Sequence, residues 1–254
     1  MSNNPNRTPS PAQQRGVMSN ALKFFLAGCL AELYVLVLRH FYVNGTLQQV
    51  VAWDGYLTYF LYGGIALLAL GLVFLLIRKK WNWSPAIGLW TAGAGAFFAG
   101  ATALIRLYYS TAISLLCILV PVMMVLAILW CLYDRECAWS LSVLSFSLVA
   151  LWVARRGMDS PFVGTLVKIG VVVCLILVAA VALAVFQADR HGGQLGKLRL
   201  FPEEADALPI YVSCAMAAVG LILSFFSATL VYYVMWIMGV VLFALAVYYT
   251  AKQL

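Results

Sequence analysis

Charge is what this sequence has least of. Only 10% of its 254 residues are Asp, Glu, Lys or Arg, while 65% are hydrophobic; soluble domains carry about 25% and about 45–50% of these classes. A soluble globular fold is excluded. Histidine is scarcer still, with His40 and His191 alone in the chain. The six cysteines (Cys29, Cys117, Cys131, Cys137, Cys174 and Cys214) form no C-x-x-C pair, and there is no His cluster to complete a metal site. They lie in or beside apolar runs, where Cys acts as a small hydrophobe. H-E-x-x-H, G-x-S-x-G and the P-loop are also missing. No catalytic residue, cofactor or metal ligand is therefore assigned, and the chain is expected not to be an enzyme.

What remains is a set of long apolar stretches separated by short polar ones. At about 20 residues per crossing, spans are expected at 21–38, 56–77, 86–107, 111–133, 138–154, 162–186, 210–227 and 229–250, about eight in all. The expected fold is an all-α polytopic transmembrane bundle over 21–254. Residues 1–20, polar and carrying Pro5, Pro9 and Pro11, are expected to be a disordered cytoplasmic tail. Between Lys23 and Cys29 only five apolar or small residues precede the cysteine, shorter than the roughly 7–15 of a signal h-region, so the first span is read as retained. The linker 41–54 is too polar to span and is expected to lie along the interface. Pro121 should kink the fourth span. The final pair is separated only by Ser227-Ala228-Thr229, since no charged residue occurs from Ala207 to Ala251. Trp and Tyr at many boundaries fit the headgroup level that these side chains prefer.

The stretch 85–109 (PAIGLWTAGAGAFFAGATALIRLYY) carries the clearest pattern. Gly88, Ala92, Gly95, Ala99, Thr102 and Arg106 recur at spacings of four and three, the rhythm of a helix-packing seam. Small residues along a seam let backbones approach closely, which in lipid replaces the hydrophobic drive between helices. This stretch is expected to be the centre of the bundle.

The net charge of +7 is read as topological rather than as a nucleic-acid footprint. With the N-terminus cytoplasmic, the inner side holds Arg7, Arg15, Lys23, Arg78, Lys79, Lys80, Arg135, Arg190, Lys197, Arg199 and Lys252, and the outer side only Arg39, Arg106, Arg155 and Arg156. This asymmetry predicts both termini in the cytoplasm of a multi-pass cell-membrane protein, with basic residues facing anionic lipid headgroups at the cytoplasmic face. The Arg155-Arg156 pair breaks the pattern, with Asp159 as its nearest acidic neighbour. The loop 187–208 then faces the cytoplasm, and Glu203 and Glu204 after Pro202 read as the start of a short helix.

Two ionisable residues lie inside spans. Glu32 is seven residues before Arg39, and Lys168 is seven after Pro161; at 1.5 Å per residue both sit about 10 Å below the outer surface. An unpaired charge there costs at least about 2.5–3.5 kcal/mol on insertion scales, so a partner is expected and the two are read as an intramembrane charge pair, with Lys168 snorkelling outward and Glu32 protonated as the alternative. As structure, the pair would register two helices. As function, it would be a proton or substrate site. The expectation on balance is a scaffold, assembly or regulatory subunit of a membrane complex, with the lipid bilayer and a membrane protein as partners and no nucleic acid. The alternative is a small secondary transporter, proton-coupled, that uses Glu32 and Lys168.

Overall fold

The structure, a computed structural model, describes residues 11–77, 85–133, 135–157, 164–190, 194–195, 198–199 and 208–253. Among them are α1 (Pro11–Leu38), α2 (Leu47–Ile77), α3 (Pro85–Leu132), α4 (Arg135–Gly157), α5 (Gly164–Arg190), α6 (Leu208–Leu223) and α7 (Ala228–Gln253). A short hairpin of β1 (Gln194–Leu195) and β2 (Leu198–Arg199) pairs antiparallel between α5 and α6. Six of the helices are long and apolar enough to cross a membrane. The chain is an all-α helical bundle and an integral membrane protein whose apolar helices contact lipid. The helix start expected at Glu203 and the first half of the expected tail, residues 1–10, lie outside the described residues. α1 begins at Pro11, within the stretch read as tail.

α3 accounts for two of the expected spans. Its 48 residues would run about 72 Å as one straight helix, more than twice the hydrocarbon thickness of about 30 Å. Tyr109 divides it, with φ 46° and ψ −120°, the geometry of the first central residue of a tight type II′ turn, where glycine is the usual occupant. The non-helical residue is Tyr109, and Pro121 lies within the second half. α6 is shorter than the rest at 16 residues, and the turn 224–227 joins it to α7.

The linker 41–54 is no separate interfacial element. Residues Arg39–Val43 continue α1 as a π-helical turn, closed by Asn44 N–H donating to the Arg39 carbonyl at 3.2 Å. α2 already starts at Leu47. The start is encoded by Thr46-Leu47-Gln48-Gln49, a capping-box spacing, in which the Thr46 N–H donates to Gln49 Oε1 at 3.0 Å.

The chain divides into two compact units, one of Gly28–Pro121 and one of Val122–Leu254 with Met1–Ala27. In the Gly28–Pro121 unit, α2 lies close against the first half of α3. Gly71 meets the Ala92 backbone, Gly95 meets Leu68 and the Gly64 carbonyl, and a Cβ added at Gly64 would stand 2.6 Å from the Ala99 nitrogen. A second layer is apolar: Val35 and Leu38 of α1, Leu57 of α2, Ala101 and Ile105 before the Tyr109 break, and Ile113 and Leu116 after it form one core.

In the Val122–Leu254 unit, α4 is the enclosed element, packed against α5, α6 and α7. Eleven of its 23 residues are buried, whereas in 86–109 only Gly88, Gly95, Ala101, Thr102 and Ile105 are, so the most enclosed helix is α4 and not the stretch 85–109. The reason is visible in composition: Ala138, Ser140, Ser142, Ser147 and Ala154 are small enough for neighbours to close on several sides. Leu144, Leu151, Ala217, Leu221 and Met238, each fully buried, form the heart of its core.

Candidate functional site

The richest polar cluster lies in the Gly28–Pro121 unit and starts from α1. Residues 31, 34, 35 and 38 of that helix turn towards the core. This brings the Tyr34 hydroxyl to 3.0 Å from Thr102 Oγ1. The Tyr34 ring lies edge-on to Phe60 and Phe98, with centroids 5.5 and 5.0 Å away. Thr102 is fully buried, and a buried hydroxyl needs such a partner.

The adjoining face carries Glu32 and Arg39, two turns apart, and Cys117 of α3 lies within electrostatic reach of both. Glu32 is half-buried, and its Oε2 is enclosed with no hydrogen-bond partner among the described residues. A carboxyl oxygen in that position is the kind of group that takes a proton, a water or a cation.

At the end of this cluster the Tyr109 break is held from the side. The Tyr109 hydroxyl donates to the Tyr42 carbonyl at 2.8 Å, and the two rings stand 4.9 Å apart. Tyr42 in turn donates to Asp54 Oδ1 at 3.2 Å, and Arg106 lies near the Tyr42 hydroxyl. A non-glycine residue at positive φ costs roughly 1–3 kcal/mol and persists only where surrounding contacts over-determine it. Here the contacts are Tyr42 and, through it, Asp54. Phe41 stacks on Trp53 at 5.4 Å alongside, so this end is dense in aromatics, as a headgroup-level layer should be.

The residues singled out from the sequence are distributed as follows. Gly88, Ala92, Gly95 and Ala99 of α3 face α2, with Gly88 against Leu75. Thr102 is engaged by Tyr34 of α1. Arg106 is exposed. Glu32 belongs to the Gly28–Pro121 unit, whereas Lys168 is an exposed side chain of α5 in the other unit. Sequence reasoning missed Tyr34, Tyr42, Asp54, Tyr109 and Cys117. Asp54 was findable as the single acidic residue between the first two spans, and the T-x-x-Q box marks the helix that presents it. The three tyrosines and Cys117 carry no local signal.

Within the Gly28–Pro121 unit, α3 also has a face that none of the described residues covers. Gly93 and Gly100, seven residues apart and so on one side of the helix, have no heavy atom within 4 Å of an added Cβ. Ala96 between them is exposed. This face lies to one side of the one that meets α2, about 100° around the helix.

The Val122–Leu254 unit has its own polar features. Trp130 Nε1 donates to Ser142 Oγ at 3.0 Å, and the Tyr133 and Thr250 hydroxyls are 3.0 Å apart. Glu136 and Ser140 are buried on α4. Arg155 and Arg156 lie against aromatic faces: Arg155 is 4.6 Å above the Tyr232 ring and Arg156 4.5 Å above Trp152, the geometry of cation–π attraction. Asp159 lies outside the described residues. Among the described residues no three His, Cys, Asp or Glu side chains come together, and none of the six cysteines forms a disulfide. Comparison with protein-family models, with curated proteins and with solved structures finds no match.

Proposed function

We propose that this chain is a non-enzymatic subunit that scaffolds, assembles or regulates a membrane complex, by receiving a transmembrane helix of a partner protein. The observation that carries this reading is the open small-residue face of α3 at Gly93, Ala96 and Gly100. In lipid, a helix gains little by covering a bulky apolar face, because acyl chains solvate it equally well. A groove of glycine and alanine lets a second backbone come close enough for dispersion and weak C–H···O contacts to favour association. One face of α3 is already used this way against α2.

The test is co-purification from native membranes in mild detergent. Gly93→Leu with Gly100→Leu should release the partner and leave the chain folded. A double variant that retains every co-purifying protein, or a wild-type chain that runs alone, would sink the proposal. The same reading places both termini in the cytoplasm of a cell membrane, with anionic headgroups at that face. Reporter fusions near Arg135, near Lys197 and after Leu254 should read cytoplasmic, and fusions near Gly45, Ser110 and Ala228 external.

A second reading, a small proton-coupled transporter acting through Glu32 and Lys168, draws its support from the enclosed Glu32 oxygen. Glu32→Gln, Lys168→Met and the double variant, measured for stability and for cell-level function, separate it from a structural pair. A structural pair gives a destabilised Glu32→Gln that the double variant repairs. A proton site gives a well-folded Glu32→Gln that is inactive in both backgrounds. A coupling energy near zero removes the pair, and Arg39 becomes the counter-charge to test.

A further inference from the structure

The Val122–Leu254 unit contains a cavity of about 90 Å³ between the end of α4 and the α6–α7 turn. It is lined by Arg155, by Ser224, Phe226 and Ser227 of the turn, and by Ala228 in the first turn of α7. That is several times the space a single water requires.

The chemistry of the lining is one-sided. Arg155 brings guanidinium N–H donors and no acceptor, and its orientation is set from below by the Tyr232 ring 4.6 Å away. Ser227 Oγ accepts from the Thr229 N–H at 3.3 Å, which leaves its own proton to donate. Ser224 is committed differently, donating to the Leu221 carbonyl at 2.6 Å. None of the described lining residues is acidic. A positively charged fork, a free hydroxyl proton and the start of a helix converge on one opening, and every one of them favours an anion.

The surroundings narrow the anion. Phe225 and Phe226 at the turn and Tyr233 beside it are exposed, so the cavity opens among aromatic side chains at one end of the apolar helices. This is the level of phospholipid headgroups. A guanidinium matches phosphate oxygens two at a time, and the volume suits a phosphate group rather than a whole lipid.

We propose that this cavity is a binding site for a phosphate group, with Arg155 as its principal ligand and Ser227 as the second. A phospholipid would supply the group from the bilayer, with its acyl chains lying along Phe225 and Phe226. Inorganic phosphate would supply it from solution.

The full chain, purified in uncharged detergent, is titrated separately with short-chain phosphatidylglycerol and with inorganic phosphate. Binding is read by the rise in Tm and by the number of lipids retained in native mass spectrometry. Wild type should bind one equivalent saturably. Arg155→Gln should weaken that binding about tenfold or more, the scale of a lost charge-assisted hydrogen bond. Arg155→Lys should weaken it several-fold with the probe-free Tm unchanged, and it carries the test should Arg155→Gln fail to fold; Ser227→Ala should also weaken it several-fold, from a probe-free Tm lowered by the lost cap on the Thr229 N–H. Arg156→Gln should bind as wild type does. Lipid binding that phosphate cannot displace assigns the site to a headgroup; saturable phosphate binding without lipid assigns it to the soluble anion. Equal binding by Arg155→Gln and wild type, an equal loss in Arg156→Gln, or no saturable binding of either probe overturns the proposal.

Discussion

The two units are built from helices of similar apolarity, and yet they hold those helices together by different means. In the Gly28–Pro121 unit, α2 has only 11% of its apolar window buried, while in the Val122–Leu254 unit α4 has 56%, with α7 at 11% on its outside. α2 touches α3 along a narrow line where Gly64, Gly71 and Gly95 bring backbones together, and most of its large side chains are left outward for lipid. α4 is enclosed on several sides, and its contact is made by many side chains rather than by a few glycines. The contrast shows that apolarity does not report burial in a membrane protein. Lipid solvates leucine as well as a neighbouring helix does, so the decision between them falls to small residues and to hydrogen bonds.

The largest effect should come from cutting into the enclosed helix. Leu144→Ala, at a fully buried position on α4, should cost about 2–5 kcal/mol, whereas Leu70→Ala on α2, which is 53% exposed, should cost almost nothing. Thermal unfolding in one detergent checks both. Equal losses would mean that α2 is buried in the protein and the contrast between the units is false.

Next come the glycines. Gly95→Leu must force α2 away from α3, a cost of about 1–3 kcal/mol or more, while Gly93→Leu on the open face should leave stability unchanged. Two residues apart on one helix, these variants test the line contact directly. If both are tolerated, the approach at Gly64, Gly71 and Gly95 contributes nothing to the fold.

A smaller effect belongs to the Tyr109 break. Tyr109→Phe removes the 2.8 Å hydrogen bond to the Tyr42 carbonyl and should cost about 0.5–1.5 kcal/mol, read again as unfolding temperature. Tyr109→Gly relieves the positive φ but loses both bond and ring contact, so it should fall no lower than Tyr109→Phe. A much lower glycine variant would mean that the ring against Tyr42, not the hydroxyl, holds the turn.

The smallest effect is expected at the aromatic-held arginine next to the proposed phosphate site. Arg156→Gln should change stability by about 0.5–1 kcal/mol, the scale of an exposed cation–π contact with Trp152. A larger loss would show that Arg156 has a partner beyond that ring.

Much of the architecture was legible without coordinates. The lack of charge excluded a soluble fold, the lengths of apolar runs located the helices, and the recurrence of Gly88, Ala92, Gly95 and Ala99 marked a face whose glycines now lie against α2. These features are local: burying a backbone in lipid forces helix wherever about 20 apolar residues run together, and the helical period then assigns faces. The capping box at Thr46 and Gln49 was equally local and shows why the linker became helix.

Other features depended on which helices meet. The choice of α4 as the enclosed helix rests on the serines and alanines that let α5, α6 and α7 approach from different directions, and no periodicity within α4 announces three neighbours. The same holds for Tyr34 on Thr102, separated by 68 positions, and for Tyr109 on Tyr42, separated by 67. Hydrogen bonds of this range are made by tertiary approach, because a tyrosine reads identically in sequence whether its hydroxyl reaches a headgroup, a threonine or the backbone of another helix. The sequence by itself determined that this chain is a membrane bundle and where its helices run. Which small faces were closed, which was left open at Gly93 and Gly100, and how a tyrosine came to sit at positive φ were decided by packing, where a contact exists only once both partners are in place.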